Sequence, residues 1–252
     1  MQRSNSYVVM FVIILTVVLG GLLSGANQLL KEAQDKSIDL DTKKKILGAV
    51  MDISTITSDT ALLGTYDRRV KSIVVDFEGN VLTEDSKGNK LIAEKVNIQK
   101  QYRFDPKDRQ YPVFMFMDSE SPGKVKSYIF PMWGAGLWDW ISGFVAVQSD
   151  LRTIAGVSFD HKTETPGLGA RITDATVKDR FKGKFIFDEG GNFKPVVMVK
   201  GENNAGLDDY QVDGLSGATM TAKGVNRMIE GYLQCYEPYI NKVKTGQTVA
   251  IK

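Results

Sequence analysis

The first hydrophobic pattern along the chain is an uninterrupted apolar stretch near the amino terminus. No charged residue occurs between Ser4 and Leu30, and the segment Tyr7–Leu23 has the sequence YVVMFVIILTVVLGGLL. This segment has no amphipathic period. With its flanks it supplies roughly 20 helical residues, which at about 1.5 Å each span a hydrocarbon core of about 30 Å. The pattern predicts a transmembrane helix and an anchor over residues 1–30.

A cleaved signal peptide is the alternative interpretation of this stretch. The apolar run is longer than the usual h-region of about 7–15 residues, which favours an uncleaved anchor. The small residues Ser24, Gly25 and Ala26 resemble a cleavage site and keep the alternative open. The flanking Lys and Arg residues favour a cytoplasmic carboxyl-terminal side by count, but large domains translocate largely regardless of charge. Charge alone therefore leaves the orientation open.

The remainder, residues 31–252, is expected to form a soluble domain of short strands separated by turns. A charged segment over Lys31–Val50 predicts a stalk helix that ends near Gly48. Turn residues cluster at positions 78–80, 87–89, 121–123 and 189–192. Between them, strand segments are predicted at Val70–Leu82 (a hairpin), Tyr111–Met117, Lys126–Phe130, Gly143–Val147, Thr153–Phe159, Phe181–Phe187 and Val196–Val199.

Helical periodicity returns near the carboxyl terminus. Apolar side chains recur at the i, i+3, i+4, i+7 spacing of one helix face. They are Val225, Met228, Ile229, Tyr232, Leu233 and Tyr236. Many short strands with few helices predict an α+β fold with an antiparallel or mixed sheet.

The amino-acid composition limits which ligands and cofactors the chain can bind. The chain has 252 residues, with 32 Lys or Arg and 30 Asp or Glu, for a formal net charge of +2. Nucleic-acid binding needs a strong local basic excess, so this balance gives no support to it. The single Cys235 and the single His161 are too few for an iron–sulfur cluster or a structural zinc, each of which needs about four ligands. Redox chemistry here would need an organic cofactor.

The segment Asp213–Thr221, DGLSGATMT, combines hydroxyls and small residues just before the last helix. A helix amino terminus presents unpaired N–H groups and a partial positive charge, so the segment predicts a phosphate site. The simpler interpretation is that Thr219 or Thr221 caps the helix and Gly217 forms a turn. A third interpretation makes Ser216 a nucleophile with His161 as its base. Against it, the sequence GLSGA has Ala where the G-x-S-x-G motif has its last glycine.

Two other stretches have unusual local chemistry. In ETPGLG, residues 164–169, Pro166 fixes φ while Gly167 and Gly169 permit positive φ. Such a loop lets its backbone approach a flat ligand, or is an ordinary loop. In PMWGAGLWDW, residues 131–140, all three tryptophans occur within eight positions, and they either stack on a planar cofactor or bury their indoles at the core edge.

Together these stretches resemble a known family. DGLSGATMT is similar to the covalent flavin-attachment motif D-x-x-S-G-A-T-x-T, and HKTETPGLGAR resembles the E-T-P-G-L-G loop of the same FMN-binding domain. PMWGAGLWDWISGF is similar to the P-x-x-G-x-G-L-W segment found upstream. With one amino-terminal span, the chain resembles the C subunits of the sodium-translocating NADH:quinone reductases. Ala170 departs from the pattern, where a second Gly is expected.

The G subunits of the Rnf-type electron-transport complexes are a related alternative. They share the anchor, the loop and the flavin motif. The Gly-Leu-Trp segment and the chain length favour the quinone reductase.

The resemblance implies one FMN per chain, joined to Thr221 through a phosphoester, and an FMN-binding region over about residues 125–240. It implies that Asp213 either guides a flavin transferase or shapes the loop. No catalytic residue and no metal ligand is implied. The further flavin contacts that it implies are Ser216, Gly217, Ala218 and Thr219 at the phosphate and ring, Glu164, Thr165, Gly167 and Leu168 beside the isoalloxazine, and Trp138 and Lys200 as neighbours.

The resemblance also implies a function, that of an electron carrier which is one part of a membrane reductase and is not catalytically complete alone. Electrons would pass from NADH through other centres to this FMN and then toward quinone. The implied location is the bacterial inner membrane, single-pass, with the soluble domain in the periplasm. The implied partners are the A, B, D, E and F subunits, a flavin transferase and membrane lipid. A membrane-anchored binding module without redox chemistry, and a tethered hydrolase using Ser216 and His161, are the alternatives from other classes.

Overall fold

The computed structural model describes residues 4–121 and 123–247, and the chain divides into two compact units between Asp41 and Thr42. Helix α1, Asn5–Gly48, is one continuous helix of 44 residues, so the predicted anchor and stalk are a single element. Its end at Gly48 is confirmed. The helix is long and apolar enough to cross a membrane, a test that an amino-terminal signal sequence also passes. The membrane boundary at residue 30 stays a prediction.

The second unit contains a six-stranded antiparallel sheet in the order β2-β1-β3-β4-β5-β6. Every neighbouring pair is antiparallel, and every pair except β1 and β3 joins strands that are consecutive in the chain. Its strands are β1 Val70–Val75, β2 Val81–Leu82, β3 Tyr111–Met117, β4 Val125–Ala135, β5 Trp140–Gln148 and β6 Ile154–His161.

The other elements cover the sheet or connect its strands. The remaining helices are α2 Asp59–Arg69, α3 Ile98–Gln101, α4 Ala175–Asp179 and α5 Thr219–Lys244. A separate parallel pair consists of β7 Val197–Met198 and β8 Gln211–Val212. Single turns of 3₁₀-helix lie at Ala93–Lys95, Pro106–Asp108 and Gly169–Thr173. The α+β fold is thus confirmed, with an antiparallel principal sheet.

Most predicted strands are confirmed, and one is wrong. The hairpin at Val70–Leu82 forms β1 and β2, and β3 has the predicted bounds. The segment Phe181–Phe187 is not a strand. Lys184 N donates to Phe181 O and closes a turn, and only single-residue bridges follow, between Thr153 and Phe185 and between Phe187 and Phe193. The turn predicted at residues 121–123 includes residue 122, which lies outside the described residues.

Helix α5 lies on one face of the sheet and completes the core. Its apolar face is the periodic set of the sequence, and all six residues of that set are buried. Asn226 fixes the neighbouring strand pair, because its side chain accepts from Met198 N at 2.8 Å and donates to Met198 O at 2.9 Å. Burial of such a continuous apolar face is the main stabilising contribution to a helix in a protein of this kind.

The Tyr236 hydroxyl of α5 donates a hydrogen bond at a point where the sheet ladder has none. Continuing the β3–β4 register that pairs Phe114 with Ile129 places Pro112 opposite Pro131. Neither proline has an N–H to donate, so ladder bonds cannot form between them. The Tyr236 hydroxyl lies 2.9 Å from Pro112 O and 3.2 Å from Pro131 O, and it supplies the missing donor.

We expect Tyr236→Phe to destabilise the second unit by about 1–3 kcal/mol, because two buried carbonyl oxygens lose their donor. Denaturant unfolding of the full chain in detergent measures this change. Tyr102→Phe is the matched control. Tyr102 is 43% exposed, so the loss of its hydroxyl should change stability by no more than about 0.5 kcal/mol. Equal stability of Tyr236→Phe and the parent chain would contradict this account of the two prolines.

Candidate functional site

The segment Asp213–Thr221 follows β8 and includes the first residues of α5. Thr219 is the first helical residue and Thr221 the third, so neither is the cap. Ala218 precedes the helix, and no side chain caps it. Gly217 forms the predicted turn, with φ of +76°. The N–H groups of the first turn are therefore available to a ligand, which is the arrangement found at phosphate sites.

A buried hydrogen bond joins this helix to the ETPGLG loop. The Thr221 hydroxyl donates to Glu164 Oε2 at 2.6 Å. Thr221 is 1% exposed and Glu164 is 3% exposed. The two motifs, 57 residues apart in the chain, therefore meet at one pair of side chains.

The same carboxylate also fixes the tryptophan-rich segment. Glu164 Oε1 accepts from Leu137 N at 2.7 Å and from Trp138 N at 3.2 Å. Trp138 Nε1 donates in turn to Thr165 Oγ1 at 3.2 Å. All three stretches singled out in the sequence thus converge on Glu164.

Close packing at this point requires a residue without a side chain. A Cβ at Gly169 would lie inside contact distance of both Glu164 Oε2 and Thr221 Oγ1. Gly169 has no positive φ, so space and not backbone conformation explains it, contrary to the expectation from the sequence. Gly167 does have positive φ, +74°, as expected.

The tryptophan-rich segment is the β4–β5 hairpin and not a core-edge loop. Trp133 in β4 and Trp140 in β5 stack with ring centroids 4.4 Å apart. Trp138 lies in the turn between these strands and is 68% exposed. Leu137, Leu168 and Met220 are also exposed beside the Glu164–Thr221 pair. They give the site an apolar rim suited to a planar ring.

A second acidic residue, which no sequence pattern indicates, organises the loop before α5. Glu202 accepts from both terminal nitrogens of Arg171, at 3.1 and 2.8 Å, and from Arg180 Nη2 at 2.7 Å. It also accepts from Ser216 N at 3.3 Å. The hydrogen bonds from Arg171 and Arg180 lower the pKa of Glu202 from 4.5 to about 2. No local pattern marks these residues, because 31 positions separate Arg171 from Glu202.

Asp213 shapes the neighbouring loop. Its Oδ1 accepts from Asn204 N at 2.9 Å and from Asn204 Nδ2 at 2.7 Å. These bonds lower the pKa of Asp213. Arg180 Nη1 donates to the carbonyl oxygens of Asp213 and Gly214, so the arginine that pairs with Glu202 also fixes the backbone here.

The remaining predicted residues lie at different depths. Thr219 is half-buried, Ala218 is buried, and Ser216 is exposed at the site. Lys200 is exposed, and no partner of its ammonium occurs among the described residues. His161 Nδ1 accepts from Glu164 N at 3.3 Å. No hydrogen bond connects His161 to Ser216 in the described part of the chain, which removes the geometric support for a hydrolase.

A separate cleft lies further along α5. It has a volume of about 710 Å³ and starts at Gly224, one helical turn beyond Thr221. Trp133, Tyr102 and Tyr232 line it, and none of the predicted flavin contacts does. The convergence at Glu164, and not cavity size, identifies the candidate site.

Comparison with known proteins gives the class first. A family model for the FMN-binding domain matches residues 136–234, which include the hairpin turn, the ETPGLG loop and the attachment motif. The site described above therefore lies within the segment that matches an FMN-binding domain.

Relatives that match nearly the whole chain identify its family. The chain is 30% identical over 256 residues to the C subunit of the Na(+)-translocating NADH-quinone reductase of Neisseria meningitidis serogroup A, covering 97% of this chain and 96% of that protein. It is 29% identical to the corresponding protein of Vibrio anguillarum, covering 93% of each. The chain belongs to the family of the C subunits of Na(+)-translocating NADH-quinone reductases.

Solved structures agree with this family. The C subunit of the Parabacteroides distasonis enzyme has a TM-score of 0.69 at 34% identity, covering 84% of this chain and 96% of that one. NqrC of Shewanella oneidensis has the same TM-score at 27% identity, covering 83% of this chain and 99% of that one. These relatives are named for the Na(+)-translocating reductase and not for the Rnf alternative.

The charge of Glu202 should make stability depend on pH. We expect Glu202→Gln to lower the unfolding temperature at pH 7, because Arg171 and Arg180 lose their shared anion. The folded-state pKa is depressed, so this contribution is present above pH 4.5 and is lost as the pH falls toward 2. Melting curves of both full chains in detergent at pH 7, 4 and 2.5 measure the difference. A difference that stays constant across this range would contradict the assigned pairing.

Proposed function

We propose that this chain is the electron-carrying flavin subunit of a membrane Na(+)-translocating NADH-quinone reductase, with FMN joined to Thr221 through a phosphoester. The observation that carries the proposal is the position of Thr221. Its hydroxyl lies on the first turn of an uncapped helix, inside the segment that matches an FMN-binding domain. Composition supports an organic cofactor, because the chain has one cysteine and one histidine.

The residues around Thr221 fit a flavin phosphate. The first turn of α5 offers N–H groups without a side-chain cap, and the helix dipole favours negative charge there. Ser216 and Gly217 are exposed directly before it. A phosphodiester at Thr221 would therefore be held by backbone donors and the Ser216 hydroxyl.

The rim of the site fits the ring. Trp138 and Leu168 offer exposed apolar surface beside the Glu164–Thr221 pair, and Met220 adds more. We expect Trp138 and Leu168 to contact the isoalloxazine, with Thr165 holding the indole through its hydroxyl. Gly167 leaves open space at the loop tip, so a ring can approach the backbone there. Lys200 stays the weakest of these proposed contacts.

FMN, when bound, supplies the capacity to accept electrons and pass them on. The chain's own residues position that group and keep it attached. Glu164 ties the 137–138 turn to the α5 amino terminus, and the Glu202 pairing fixes the loop before it. A ring held this way would keep a constant position relative to its electron donor and acceptor. The chain alone is not expected to oxidise NADH.

The proposed setting is the bacterial inner membrane, with α1 as a single-pass anchor and the second unit in the periplasm. The proposed partners are the A, B, D, E and F subunits of the reductase, with a flavin transferase for attachment. The apolar side chains of α1 from Tyr7 to Leu30 are exposed, as contact with lipid requires.

Attachment should depend on Thr221 alone among the nearby hydroxyls. We expect Thr221→Ala, produced with a flavin transferase, to lose the mass of one FMN less one water that the parent chain carries. Loss of the Thr221 hydroxyl leaves Glu164 Oε2 without its donor and costs about 1–3 kcal/mol of stability. Intact-mass measurement of the purified chain tests this.

Thr219→Ala and Ser216→Ala are the matched controls and should keep at least partial attachment, because each removes one hydroxyl nearby. Peptide mapping locates the flavin directly. FMN found on Thr219 or Ser216, or undiminished flavin in Thr221→Ala, would show that the assignment is wrong.

The orientation of the chain in the membrane is tested separately. We expect a reporter active only in the periplasm to work when fused at the carboxyl terminus, and a cytoplasm-active reporter at the same point to fail. The reason is that the proposed covalent tether matters most outside the cytoplasm, where lost flavin could not easily be recovered. The opposite pair of results would support the orientation that the flanking charges favour.

A further inference from the structure

A buried carboxylate without a cationic partner faces the proposed attachment residue. In the described ranges, the buried polar or charged residues are Ser127, Ser158, Glu164 and Thr221, so Glu164 is the only carboxylate among them. No Lys, Arg or His side chain of the described residues pairs with it. Its donors are two backbone N–H groups on Oε1 and the Thr221 hydroxyl on Oε2.

The donors on Oε1 do not by themselves require a carboxylate. A glutamine oxygen would accept from Leu137 N and Trp138 N equally well. Only a carboxylate, however, can both orient the Thr221 hydroxyl and take its proton. Burial without a cation is costly for a carboxylate, which favours a chemical role over a purely structural one.

We infer that Glu164 is the proton acceptor for flavin attachment at Thr221, an inference that rests on the attachment site of the proposed function. The carboxylate oxygen can only accept, so the hydroxyl hydrogen points at Oε2 across 2.6 Å. That bond has the length of a charge-assisted O–H···O⁻ contact. The lone pairs of Thr221 Oγ1 are then left to attack phosphorus.

The step balances with a flavin dinucleotide as the donor. Thr221 Oγ1 forms a bond to the flavin-side phosphorus, and the bond from that phosphorus to the bridging pyrophosphate oxygen breaks. A nucleoside monophosphate leaves with the electron pair. The proton moves from Oγ1 to Glu164 Oε2, and nothing is oxidised or reduced.

Proton transfer also removes charge repulsion between Glu164 and the phosphodiester product. The new phosphodiester carries one negative charge, and an ionised Glu164 beside it would repel it. A Glu164 that has taken the proton is neutral and can donate Oε2–H to the ester. Because Thr221 is buried, we expect the exposed segments 165–168 and 216–217 to move aside for the donor.

The test is the rate of flavin incorporation into the full chain in detergent, with purified flavin transferase, Mg²⁺ and FAD, followed by intact mass. We expect Glu164→Gln to slow incorporation about 100-fold or more, in the range general bases contribute. Glu230→Gln on the exposed face of α5 is the control and should react at the parent rate. Circular dichroism checks that each variant is folded.

A second arm separates proton transfer from structure. Glu164→Ala should regain incorporation when formate is added, because formate can bind in the vacated space and accept the proton, whereas chloride at equal concentration should not restore it. Parent-rate incorporation in Glu164→Gln, or no rescue by formate in folded Glu164→Ala, would overturn the inference. A parent chain that takes up no flavin, or takes it up elsewhere than Thr221, would instead defeat the proposed function.

Discussion

The structure depends on the packing contact between α5 and the sheet. Two facing prolines, Pro112 and Pro131, interrupt the β3–β4 ladder under the helix. The Tyr236 hydroxyl supplies one donor that their carbonyl oxygens share. The apolar face of α5 covers the same region. Because the helix is fixed by this contact in its second half, its amino terminus has a defined position beside the β4–β5 turn.

The second constraint is a buried negative charge. Glu164 can stay buried only if donors reach both of its oxygens, and those donors come from the β4–β5 turn and from α5. Each of the three segments therefore depends on the other two. Gly169 makes the approach possible, since any Cβ there would push the carboxylate from the hydroxyl. A chain that lost this arrangement would lose the geometry of the whole site.

Much of this could be predicted from the sequence, where a signal was local. Helical spacing predicted the buried face of α5, a β-branched run predicted β1, and the apolar segment YPVFMFM predicted β3, because all three patterns reflect burial of neighbouring residues. The strand predicted at Phe181–Phe187 was wrong. Phe181 and Phe187 are buried although the segment forms a turn, so their burial does not require strand pairing. The Glu202 pairing left no signal, because its members meet only after the chain has folded.

Glu202, Asp213 and Glu164, three carboxylates near the amino terminus of α5, differ in what flavin attachment would change. Glu202 is neutralised by two guanidinium groups, and Asp213 is satisfied by the backbone and side-chain nitrogens of Asn204. Neither set of donors includes the Thr221 hydroxyl. Glu164 alone among the three would lose a donor when Thr221 becomes an ester. The electrostatic effect of the proposed modification would therefore fall on Glu164, and through its other oxygen it would reach the turn that holds Trp138.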